Sequence, residues 1–189
     1  SDVVVFLIDA TRKISHVDRK LAQELQRQYK PTVLVLNKWD LVPEGTDPEE
    51  FGEYLTRELR GFDYAPIVLV SAESAEGIED VVSMAFNLRE QAAHRETTGK
   101  LNAIIESILK QRGPSSRLGT QAKLLYVSQV AVDPPTIAMV VNDPKLFEGR
   151  YERYLMNRLR EEMPYSEVPI RLLFSKRTRK SLQDLKTRQ

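Results

Sequence analysis

Four consecutive residues of this chain, Asn37-Lys38-Trp39-Asp40, have types and a spacing suited to binding a nucleotide base. An Asp carboxylate accepts two hydrogen bonds side by side, and an Asn side chain both donates and accepts. Guanine offers the matching groups, because its N1–H and N2–H are adjacent donors and its O6 and N7 are acceptors. Adenine lacks the two adjacent donors, so a carboxylate at this position favours guanine.

Three apolar runs predict the strands that position these residues. Residues 32–36 lie directly before Asn37, residues 66–70 lead into Ser71-Ala72, and residues 3–9 form the third predicted strand. Uninterrupted apolar runs of this length are typical of buried parallel strands. Ligands bind at the carboxyl ends of the strands in open α/β sheets. The sequence therefore predicts that Asn37, Asp40 and Ser71-Ala72 meet at one edge of a sheet.

Each connection between these runs contains a predicted helix. The first helix follows a capping-box pattern at residues 15–18 and carries apolar residues four apart: Val17, Leu21, Leu25 and Tyr29. The second is predicted to begin at Asp47, with Pro48 in its first turn and Glu50 completing a capping box. The third covers residues 78–93. The alternation of strands and helices predicts half of a doubly wound α/β domain with a partial parallel sheet.

The second half of the chain predicts a small α+β domain. The expected order is helix, strand, strand, helix and strand, at residues 100–111, 122–132, 136–142, 151–163 and 168–174. This order gives a three-stranded sheet with helices on one face. We expect a first domain over residues 1–96, a second over 97–175, and a basic tail over 176–189.

The charge is divided between the two halves. Residues 1–96 contain 11 Lys/Arg and 18 Asp/Glu, a net of −7, whereas residues 97–189 contain 17 and 9, a net of +8. A basic half suggests contact with nucleic acid, although two domains could also attract each other through these charges. No run approaches the length of a membrane span, and the chain has no cysteine, which weakly favours the cytoplasm.

The motifs together resemble a known family. Asn37-Lys38-Trp39-Asp40 followed by Ser71-Ala72 resembles the fourth and fifth guanine-nucleotide motifs of translation-factor-related GTPases. Other stretches narrow the resemblance to the bacterial double-G-domain GTPase family Der (EngA), from within its second G domain to its C-terminus. These stretches are residues 8–11, 62–66, 126–130, 133–136 and 141–144.

The resemblance implies roles for particular residues. Asn37 and Asp40 would select the guanine of GTP or GDP, Lys38 would brace the pocket, and Ser71 and Ala72 would close over the base. The family further implies a monomer that acts in assembly of the large ribosomal subunit, with ribosomal RNA as a partner. Its C-terminal domain is KH-like. Mg²⁺ would be held only in the complete parent protein, and we predict no metal site in this chain.

Two motifs are missing from these 189 residues. A GTPase needs a G-x-x-x-x-G-K-[ST] loop for the phosphates and magnesium, but Gly99-Lys100 is followed by Leu101. We therefore expect a piece of a G domain without catalytic residues, inactive by itself. A KH domain grips nucleic acid with a G-x-x-G loop, and no two glycines here have that spacing.

We therefore predict that RNA is bound through positively charged side chains and not through a KH groove. The residues predicted to make it lie in the basic tail and are Lys176, Arg177, Arg179 and Lys180. The alternative is a stand-alone RNA- or protein-binding module whose α/β half serves only as a scaffold.

Overall fold

The computed structural model describes residues 2–114 and 121–176, which divide into two compact units. The first unit contains residues 2–92 together with 167–169. The second contains residues 93–166 and the described residues from 170 onward. Each unit holds one three-stranded sheet, and the predicted α/β architecture is confirmed.

The first sheet is parallel, with β1 (Val4–Asp9), β2 (Thr32–Asn37) and β3 (Ile67–Val70) side by side in that order. Asp9 lies opposite Asn37, and Asn37 lies opposite Val70. The carboxyl ends of all three strands therefore meet at the same edge. The first five residues of the central strand β2 are buried, as its uninterrupted apolar run predicts.

Helices α1 (His16–Arg27), α2 (Pro48–Glu58) and α3 (Ile78–Ala93) occupy the predicted places. Ser15 and Asp18 form the expected capping box of α1. Asp47 caps α2 by accepting the backbone N–H of Glu49 at 2.8 Å. The capping box predicted with Glu50 is wrong, because the Asp47 carboxylate bonds the second amide of the helix and Glu50 returns no hydrogen bond among the described residues.

The row of apolar residues in α1 does not lie wholly on the buried side of the helix. Val17 and Leu21 are 62% and 50% exposed, whereas the buried residue of the helix is Ala22. Residues four apart advance by about 40° around a helix, so a row of them slants across its surface. The row reaches the core at Leu25, and its beginning turns away from the core.

The second unit contains α4 (Thr98–Gln111), β4 (Leu124–Ala131), β5 (Thr136–Val141), α5 (Arg150–Glu162) and β6 (Arg171–Lys176). Strand β5 is central, antiparallel to β4 and parallel to β6. Helix α4 packs against β4 and α5. Strand β6 begins three residues later than predicted, because Pro169 has no N–H to donate to a strand ladder.

Buried apolar side chains from α4, α5 and β5 form the core of the second unit. Within the described ranges, no helix has both the length and the apolar character needed to cross a membrane. The same ranges contain no cluster of His, Cys, Asp and Glu side chains suited to a metal ion.

Candidate functional site

Asn37 joins the ends of all three strands of the first sheet. Its side-chain Oδ1 accepts the backbone N–H of Ala72 at 3.0 Å, directly after β3. Its carbonyl oxygen accepts the N–H of Ala10 at 2.9 Å, directly after β1. Asn37 therefore fixes the relative positions of the loops at this edge.

Lys38 leaves β2 in a left-handed backbone conformation, with φ 64° and ψ 36°. Its Nζ donates a 2.8 Å hydrogen bond to Oδ2 of Asp9. The other oxygen of Asp9 accepts the N–H of Thr11 at 3.0 Å and its hydroxyl at 2.6 Å. The hydrogen bond from Lys38, followed by those from Thr11, holds the pKa of Asp9 well below its usual range. Asp9 therefore stays ionised and anchors the Lys38 ammonium.

Sequence reasoning did not assign Asp9 to the site. A signal was present, because Asp9 ends a strand of the same sheet and is followed two residues later by a threonine that can bond its carboxylate. The ion pair with Lys38 depends on the register of β1 against β2. That register depends on how the two strands pair in the folded chain, so neither segment predicts it alone.

Asp40 presents its carboxylate to solvent. It lies in a short 3-10 turn over Trp39–Leu41, and its side chain is exposed. Among the residues that the structure describes, none donates a hydrogen bond to this carboxylate or pairs with its charge. Trp39 packs edge-on against Phe51, with 5.6 Å between the ring centroids, and so holds the turn against the core. The arrangement leaves the Asp40 carboxylate available to a ligand that offers hydrogen-bond donors.

Ser71 and Ala72 begin a closed loop after β3. The buried Ser71 donates its N–H to the carbonyl of Glu76 at 3.1 Å, and its Oγ accepts the N–H of Ser74 at 3.4 Å. Gly77 closes the loop at φ +76°, where an added Cβ would lie 2.3 Å from the carbonyl oxygen of Leu69. Only glycine fits this position without displacing the backbone.

A hydrogen bond thus joins some of the predicted site residues directly, whereas others are only close to one another in the sequence. Asn37 is bonded to Ala72, and Lys38 precedes the turn that carries Asp40. The Ser71 hydroxyl is used inside its own loop. Of the predicted nucleic-acid residues, Lys176 is exposed at the end of β6. Arg177, Arg179 and Lys180 lie outside the described residues.

Comparisons with known proteins match both halves of the chain. Residues 1–91 match the family described as the elongation factor Tu GTP-binding domain. Residues 95–175 match the KH-domain-like, C-terminal domain of EngA bacterial GTPases. GTPase Der of Rhodopirellula baltica is 35% identical over 179 residues, and GTPase Der of Halothermothrix orenii is 34% identical over 179 residues. The chain is therefore similar over nearly its whole length to GTPases of the Der (EngA) family.

The matched region is only part of the Der relatives. The alignments cover 95% and 94% of this chain but 39% and 41% of the two relatives. GTPase Der of Rippkaea orientalis, 36% identical over 177 residues, is likewise covered to 39%. The chain thus spans about two fifths of the length of the curated relatives it matches. The two family matches confirm the predicted GTP-binding-domain fragment followed by a KH-like domain.

Proposed function

We propose that the first unit is the base-recognition part of a GTP- or GDP-binding site. The observation that carries this proposal is the exposed, unpartnered Asp40 carboxylate on a loop braced by Lys38 and Asp9. A carboxylate that accepts no hydrogen bond from the described residues matches the adjacent N1–H and N2–H donors of guanine. Similarity to GTPases of the Der family supports the same ligand.

The remaining residues have distinct roles in this proposal. Asn37 positions the Ala72 loop, Lys38 places its aliphatic stem beside the base, and the Ser71-Ala72 backbone closes over the base. The Ala72 N–H already donates to Asn37. Binding of guanine O6 to this N–H therefore requires that the bond be shared or that the Asn37 side chain turn. The residues present fit a base and not phosphates, whose loop and bound Mg²⁺ belong to the P-loop part of a G domain.

Asp40→Asn should change nucleotide preference from guanine toward xanthine in a polypeptide that also carries a P-loop half before residue 1. The amide no longer matches two donors, but its NH₂ can donate to the C2 carbonyl of xanthine. Competition binding of GDP and XDP should show the GDP/XDP affinity ratio falling by at least ~10-fold, in line with the loss of charged hydrogen bonds.

Asp63→Asn is the matched control for this experiment, because it removes the same charge from another exposed position of the first unit. It should leave the ratio unchanged. A wild-type GDP/XDP ratio in Asp40→Asn would remove Asp40 from the base site and overturn the proposal.

We further propose that the chain's parent acts on the large ribosomal subunit, with the second unit contacting ribosomal RNA. The support is the KH-like family match and the net charge of +8 over residues 97–189. RNA held through phosphate contacts should lose affinity steeply as salt rises, by ~0.7 in log affinity per log salt for each contact in a single strand. A chain that binds RNA with no salt dependence would contradict this part of the proposal.

A further inference from the structure

The second unit contains a cleft of about 520 Å³ between the end of α4 and the beginning of α5. Its walls combine cationic and aromatic side chains. Those used below are Arg112, Lys145, Arg150, Tyr151, Arg153 and Tyr154. Nothing in the Der family match or in the predicted basic tail assigns a role to this cleft.

Three cations of the cleft lack an ionic partner among the residues that the structure describes. Lys145, Arg150 and Arg153 are exposed, and none forms an ion pair with another described residue. Glu148 is the one acidic residue among those lining the cleft. By contrast, Arg158 on the same helix α5 is bonded to Glu161 and lies 3.5 Å from Glu162. Unpaired cations on one side of a helix create a positive potential that attracts an anionic ligand.

The aromatic side of the cleft is held in place. The Arg112 guanidinium lies over the ring of Tyr154, 5.2 Å from its centroid. Tyr151 donates its hydroxyl to the Arg112 carbonyl at 2.8 Å, and its ring lies 5.5 Å from that of Tyr154. Burial, with a smaller contribution from Tyr154, raises the pKa of Tyr151 to about 12. The hydroxyl therefore keeps its proton and ties the end of α4 to α5.

We propose that this cleft binds single-stranded RNA, with a phosphate on Arg150 and Arg153 and a base stacked on the Arg112–Tyr154 pair. Aromatic rings and guanidinium planes are the surfaces on which splayed bases stack, and neighbouring cations hold the connecting phosphates. An acidic peptide would use the cations but leave the stacking surface unused. The inference rests on the proposed RNA contact of the second unit and gives it a location.

The test is binding of a fluorescein-labelled 12-nucleotide single-stranded RNA to the full 189-residue chain, measured by fluorescence anisotropy over a range of salt. Arg150→Ala combined with Arg153→Ala should weaken binding by roughly tenfold or more. Loss of the phosphate that the two guanidinium groups hold together should also reduce the slope of log affinity against log salt by ~0.7. Lys110→Ala combined with Lys123→Ala removes equal charge from exposed positions outside the cleft. This control should change affinity less than about twofold.

Tyr154 tests the stacking surface separately. Tyr154→Leu should weaken binding by roughly 5- to 100-fold, the range found for one stacked base, and leave the salt slope unchanged. Tyr154→Phe keeps the ring and should bind as the wild type does. Circular dichroism of each variant establishes that loss of binding is not loss of folding.

The outcomes separate the cleft from the broader RNA proposal. If the wild type binds RNA but the cleft variants bind equally well, the cleft proposal is wrong and RNA contact through the tail stands. If the control pair weakens binding as much as the Arg pair, diffuse charge explains the affinity and the cleft proposal is also overturned.

Equal competition by poly-glutamate would assign the cleft to acidic proteins instead. A wild type that binds no RNA at low salt would overturn both proposals and leave the guanine site untouched.

Discussion

Lys38 and Asp40 show how the backbone conformation of one residue places the side chain of another. A non-glycine residue in the left-handed region costs about 1 kcal/mol or more and persists only where its surroundings fix it. The Asp9 ion pair and the bond from the Leu41 N–H to the Lys38 carbonyl, at 3.0 Å, supply that constraint. The turn that results presents the Asp40 carboxylate to solvent. The motif identified these residues in the sequence, but the partner that holds Lys38 became visible only with the fold.

Glu96 gives the second unit a stability that depends on pH. Its side chain is 9% exposed and accepts hydrogen bonds from Lys100 Nζ at 2.7 Å and from the Thr97 N–H at 2.8 Å. The hydrogen bond from Lys100, followed by that from Thr97, lowers the pKa of Glu96 from 4.5 to about 2. Because the folded-state pKa is depressed, the contribution of this carboxylate is complete above about pH 4.5 and is lost as the pH falls toward 2.

Glu96→Gln should therefore destabilise the chain at pH 7, and the difference from wild type should shrink as the pH falls toward 3. Urea denaturation followed by far-UV circular dichroism at several pH values measures this difference. Glu106→Gln removes an exposed carboxylate within α4, the helix that follows Glu96, and Glu106 has no partner among the described residues; this substitution should leave the pH dependence unchanged. A constant difference between Glu96→Gln and wild type from pH 7 to 3 would mean that Glu96 is not held as an ionised acceptor.

At the scale of elements, the sequence predicts most of the fold because its periodicities are strong. The β2 run is apolar without interruption, and the structure buries it as a central parallel strand. The predicted bounds of α3 coincide with those observed. The local patterns could not predict which side of helix α1 faces the core. The row beginning at Val17 has helical spacing, but the residue that α1 buries in the core of the unit is Ala22, which lies outside that row.

Gly77 closes the loop that begins with Ser71 and Ala72, so the geometry of the candidate site depends on this glycine. Gly77→Ala would force a Cβ to 2.3 Å from the Leu69 carbonyl oxygen at φ +76°. We expect a loss of about 1–3 kcal/mol in the free energy of unfolding, since neither the backbone conformation nor the space suits alanine. Trp39 is the sole tryptophan of the chain, so urea denaturation followed by its fluorescence reports on this unit.

Gly52→Ala is the matched substitution for that experiment. Gly52 lies inside α2, and an added Cβ would meet only Ile67 Cδ1, at the ordinary contact distance of 3.6 Å. Alanine there should stabilise the chain by about 0.5–1 kcal/mol, because glycine is a poor helix former. Equal effects of the two substitutions would show that the loop closed by Gly77 is not constrained as the structure shows it.

At the scale of the whole molecule, the residues proposed to recognise the base and the net positive charge lie in different parts of the chain. The first unit carries the strand-end loops of a GTP-binding-domain fragment, and the second carries the KH-like fold and the net positive charge. The sequence predicted this division from motif content and charge. It could not predict the Arg112–Tyr154 stack or the cleft around it, because those contacts join α4 and α5 across a long separation in the chain.

The most direct test of the base-recognition proposal is a crystal structure, with GDP bound, of a polypeptide in which a P-loop half precedes residue 1. The proposal predicts both Asp40 carboxylate oxygens within ~3.2 Å of guanine N1 and N2, the usual hydrogen-bond range. It also predicts the Ala72 N–H within hydrogen-bond distance of O6, with its present bond to Asn37 shared or released. A bound guanine with Asp40 turned to solvent, or a base seated away from the ends of β2 and β3, would contradict the account.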